Sequence, residues 1–129
     1  MSAGWSATSD CEERLIALIA AAERGPRRDG LYAVWLVVRA AEALLPPAPV
    51  TRKNHRRRLQ ALETRLGGLA LPAPLKRALV AARSHLDPGT SAAAVVVLSQ
   101  LVAPAREVLG PAAGEALAAA ARAARIHSS

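Results

Sequence analysis

An all-α fold, a compact bundle of five to six helices around a central apolar helix at about residues 30–45, is what this chain predicts, on three observations. Hydrophobic residues make up 52% of its 129 residues, yet aromatics are only 2% and phenylalanine is absent. An apolar content built on alanine and leucine suits helices that approach over small side chains, because alanine favours helix and adds little to a pleated sheet. Prolines and glycines also divide the chain into about six helix-length pieces with short joints. Within those pieces the leucines and valines recur three and four residues apart, the period of one helix face. Ala94-Val95-Val96-Val97 alone reads as strand, and its helix-forming neighbours carry it into a helix.

The expected organisation is a flexible N-terminal tail over 1–8, one helical domain over 9–126 and a short tail over 127–129. The first helix opens at Ser9, because Ser9-Asp10-Cys11-Glu12 has the spacing of a capping box. Leu15, Leu18, Ile19 and Ala22 share one of its faces, and Arg24-Gly25-Pro26 ends it. Asp29 is the expected N-cap of the second helix, about 30–45, which is apolar nearly all round and carries only Arg39 and Glu42 as charges. Such a helix belongs at the centre of a bundle. Pro46-Pro47 stops it and Pro49 keeps the linker extended.

Thr51 is placed to cap a third helix over about 52–69, with Leu59, Leu62, Leu66 and Leu69 as its stripe. A fourth starts at Pro74 and buries Leu75, Leu79, Ala82 and Leu86, turning at Asp87-Pro88-Gly89. Thr90 or Ser91 caps a fifth, in which Pro104 removes the donor to the carbonyl of Gln100 and predicts a kink. Gly110-Pro111 opens a last alanine-rich helix to about Arg125, weakly apolar and expected to be half exposed.

Composition narrows the function classes. Cys11 is the single cysteine, which excludes an internal disulfide and any multi-thiolate metal site and suits a reducing, cytoplasmic setting. No export signal is read at the N-terminus, and no run reaches the ~18 uninterrupted apolar residues of a membrane span; the nearest, Leu31–Leu45, holds Arg39 and Glu42. The alanine–arginine bias suggests a GC-rich bacterial source.

The charge is concentrated. Arg52-Lys53-Asn54-His55-Arg56-Arg57-Arg58 holds five cations and no acid, five of the formal net +7, at a pI near 11.2. At a helix start these cations oppose the macrodipole, at a cost of a few tenths of a kcal/mol each. Glu63, the only acid of that helix, has Gln60, Leu66, Leu59 and Gly67 as its three- and four-spaced neighbours. The cluster is therefore solvated, paired with acids of another helix or subunit, or set for an external anion. Arg52, Lys53, His55, Arg56, Arg57 and Arg58 are accordingly the candidate partner- and anion-binding residues.

A solvated face is the bland reading of such a run. Nucleic acid meets the electrostatic criterion, but no zinc ligands, stacking aromatics or helix-turn-helix accompany the cluster. A membrane surface would want the cations along one side of a helix; here they crowd one end. His55 falls on the leucine stripe, so a packed, hydrogen-bonded role is expected of it as well.

Other chemistry is thin. His55, His85 and His127 lie far apart without metal-ligand spacing, so no metal or cofactor is expected. Arg83-Ser84-His85 and Arg52-Lys53-Asn54-His55 both depart from the arginine–histidine spacing of HEPN-type ribonucleases. Cys11 sits beside Glu12 and Glu13, which oppose thiolate formation. Acids are scattered, and Gly67-Gly68 lacks the rest of a phosphate loop. Trp5, outside the helices, suggests a tail that docks. The expected function is a small non-enzymatic interaction module, self-associating or docking on an acidic protein through 52–58, the alternative being non-specific contact with nucleic-acid phosphates through the same cations.

Overall fold

The computed structural model describes residues 6–45 and 51–128. Trp5 and the prolines at 46, 47 and 49 lie outside them. The described residues form six α-helices and no strand: α1 (Ser6–Ala21), α2 (Pro26–Glu42), α3 (Arg52–Gly67), α4 (Ala73–His85), α5 (Ser91–Leu109) and α6 (Pro111–Ser128). The predicted all-α bundle is what forms.

Helix starts differ from the sequence expectation by more than a residue in two places, and α4 starts at Ala73, one residue before the expected Pro74. α1 begins at Ser6, so Ser9 lies inside the helix and is not its N-cap. α2 begins at Pro26, not after Asp29. Proline lacks the N–H that a first helical residue would leave unbonded, so Pro26 starts α2 as readily as it bars continuation of α1. Gly25 at the N-cap has φ +149, a region open to glycine. Asp29 instead supplies a negative charge to the first turn of α2. The caps at Thr51 and Thr90 form as expected: each hydroxyl accepts from the third residue on, Asn54 N–H at 3.2 Å and Ala93 N–H at 3.1 Å.

The centre of the bundle is shared. α2 packs against α1, α3, α4 and α5, burying Leu31, Val34, Val37 and Val38. α5 packs against α2, α4 and α6, burying Val97, Leu98, Leu101 and Leu109. It runs unbroken through Pro104. α5 is also long and apolar enough, by length and composition, to cross a membrane, a run the reading centred on Leu31–Leu45 overlooked. Seven of its residues are buried within the bundle, as in the core helix of a folded domain.

α6 is exposed along one face, as expected, while its other face reaches the core. Ala113, Ala116, Leu117, Ala120 and Ala124 are buried between α5 and α1. Alanine carries little apolar surface of its own, but it lets two backbones approach until their neighbours touch. A Cβ on Gly114 would lie 2.7 Å from Arg106 Cβ and 3.2 Å from its Cα. At the same end of α5, Arg27 Nη2 donates to Leu109 O at 3.0 Å and puts a cation on the negative end of the helix.

Candidate functional site

α3 lies at one side of the bundle and meets α2 through a narrow face. His55, Leu59 and Leu62, spaced four and three apart, are its buried residues. That register turns Arg52, Lys53, Arg56 and Arg57 outward, and all four are exposed. With Gln60 they line a shallow basic concavity of about 290 Å³ on the outer face of the helix. Arg58 is exposed too, but it points round the helix to a second depression.

No ion pair or hydrogen bond ties any of these five cations to another side chain among the described residues. Glu63 is committed elsewhere. Its Oε1 lies 3.0 Å from Arg83 Nε on α4, and Arg83 also meets Asp87 at 2.7 Å. The one acid of α3 is thus paired with Arg83 of α4, which leaves the start of α3 wholly cationic.

His55 separates from the cations with which its sequence position groups it. It is 8% exposed, and its Nε2 lies 2.6 Å from Leu86 O at the C-cap of α4. A carbonyl only accepts, so the proton sits on Nε2 and the ring donates. Gly89 lies against the ring, a Cβ there reaching within 3.1 Å of His55 Cδ2. His55 is a largely buried link between α3 and the α4–α5 turn, with Nε2 committed to Leu86 O. His85, the last residue of α4, is exposed; the side chain of His127 lies outside the described residues.

The second depression was not legible as a unit in the sequence. It runs between α2 and α3, about 190 Å³, with Leu36, Ala40, Ala61 and Leu62 as its floor. Arg58, Arg65 and Arg39 stand around it. Arg65 Nη1 donates to Tyr32 OH at 3.3 Å. Arg39 lies over the Trp35 ring, Cζ 5.1 Å from its centre, and its Nε is 3.5 Å from Glu12 Oε1. The available signal was Arg39, the one cation within the most apolar stretch of α2.

Beneath Arg39, α1 and α2 enclose Cys11 and Glu42. Burial pushes the Glu42 carboxyl up to about 8, with the charge of Glu12 and their shared hydrogen bond adding to it and Arg39 opposing. Burial, then the Glu42 charge, pushes the Cys11 thiol up to about 12. Cys11 is therefore a packed thiol, with no thiolate available near neutrality. Among the described residues no three His, Cys, Asp or Glu side chains converge as metal ligands.

The class this fold and site define is a helical bundle with a one-sided cationic face. Comparison with known protein families, with curated proteins and with solved structures finds no match.

Proposed function

We propose that this chain is a non-enzymatic helical interaction module that docks on an acidic protein partner through Arg52, Lys53, Arg56, Arg57 and Arg58. The observation that carries this reading is that five exposed cations on one end of α3 have no acid partner, while the only acid of the helix is held by Arg83. A partner's carboxylates would relieve both the mutual repulsion of the arginines and their opposition to the α3 dipole. Between self-association and a different partner, the charge favours the latter. A two-fold contact sets like patch against like patch, and two such faces repel.

The test is a binding titration with polyglutamate at low salt. The wild-type chain binds, and a double variant, Arg52→Glu with Arg57→Glu, loses at least about tenfold in affinity while circular dichroism stays unchanged. Equal binding by both proteins refutes the reading. Nucleic acid is the second reading, because the exposure of the same cations also suits phosphates. It replaces the first if the purified chain carries nucleic acid by ultraviolet absorbance, releases it with salt and ignores polyglutamate.

A further inference from the structure

The depression between α2 and α3 differs in kind from the outer basic face. The outer concavity is walled by cations and Gln60, with no apolar residue beneath them. The α2–α3 groove instead has an apolar floor of Leu36, Ala40, Ala61 and Leu62 under a rim of three arginines. A phosphate backbone gains nothing from such a floor. A protein segment that brings both carboxylates and an aliphatic side chain gains from floor and rim together.

The groove also has a direction. Its α3 wall is built by residues 58, 61, 62 and 65 and its α2 wall by 36, 39 and 40, each set one helix face by the three- and four-residue spacing. The small residues Ala40 and Ala61 of the two walls leave the space between them open as a trough. A third helix fits a trough of this kind, laying down apolar anchors about four residues apart. Arg58 belongs both to the basic run and to this rim, so a segment seated in the groove continues onto the outer cations. The cavity between α3 and α4 offers no such match. It contains Glu63 and Arg83 already paired with one another, which leaves Lys76 as its single unpaired charge, against the three arginines around the α2–α3 groove.

We infer that the α2–α3 groove receives an acidic amphipathic helix of the partner, its aliphatic anchor on Leu36, Ala40, Ala61 and Leu62 and its carboxylates on Arg58, Arg65 and Arg39. This rests on the proposal of an acidic protein partner and specifies the segment that such a partner presents. Arg39 is shared with Glu12 and Arg65 with Tyr32, so Arg58 is the cation that a carboxylate meets without displacing a contact.

The test uses the full chain and two synthetic helical peptides of equal negative charge. One carries leucines four residues apart on one face; the other carries glutamine in their place. The leucine peptide binds about tenfold more tightly, the effect of enclosing one aliphatic side chain. The decisive variant is Ala61→Arg, at an exposed helical position that tolerates a long side chain. Charge alone makes it bind both peptides more tightly. Occlusion of the groove makes it bind the leucine peptide no better than the glutamine peptide, and that loss of preference supports the inference. Equal binding of the two peptides by the wild-type chain overturns it while leaving the acidic-partner reading standing. Failure of both peptides, with tight binding of duplex DNA or RNA, overturns both.

Discussion

At Glu42 the fold retains a proton that water would remove. Its carboxyl is raised from 4.5 to about 8, first by burial between α1 and α2 and then by Glu12. Between these values the folded chain binds a proton that the unfolded chain has released, so stability falls as pH rises through that window and levels off above it. The expected loss is of the order of a few kcal/mol. Glu42→Gln keeps a neutral donor toward Glu12. Its Tm should exceed that of the wild type above pH ~8 and match it near pH ~5. A wild-type minus variant difference that stays flat with pH in thermal melts would show that Glu42 is ionised throughout. His55 illustrates the same dependence on context, since a residue within a basic run is spent as an internal hydrogen-bond donor.

At the scale of elements, α3 and α6 show how much a register or a missing Cβ decides. The stripe at 55, 59 and 62 was readable from spacing, and it is what turns the arginines outward. How closely the inner face of α6 packs was not readable. Its alanines look weakly apolar one by one, and only their approach to α5 and α1 removes them from water. Gly114 marks that approach, because an added Cβ meets Cβ, Nε and Cα of Arg106. Flexible atoms could swing away, but a backbone Cα at 3.2 Å cannot without moving a helix. Gly114→Ala should therefore destabilise the chain by about 1–3 kcal/mol in denaturant unfolding, despite alanine's better helix propensity. A stabilised variant would mean that α5 and α6 can separate at no cost.

Across the whole molecule, charge and packing are segregated. The apolar interior is closed by α2, α5 and α6, while α3 sits beside α2 with its cations outward. A helix start crowded with arginines is a poor choice for stability. Arg52→Glu should raise stability by about 0.3–1 kcal/mol by agreeing with the α3 dipole, while lowering affinity for an acidic partner. Paired melting and binding measurements check this trade-off, and a variant that loses stability contradicts it. Binding should also weaken steeply as ionic strength rises, because exposed charges are screened over about 10 Å at 0.1 M salt.

Composition, punctuation and period determined on their own that the chain is helical, roughly where its helices lie and that its charge gathers at the start of α3. These are local properties, set by which residues favour helix, which interrupt it and which repeat every three or four positions. Tertiary structure alone decided that Glu63 is spent on Arg83, that the partner of His55 is Leu86 O and that Arg39 and Arg65 join Arg58 around an apolar groove. The physical reason is distance along the chain. Arg58 and Arg39 belong to different helices, and no spacing rule within one helix brings them together; only the packing of α2 against α3 does.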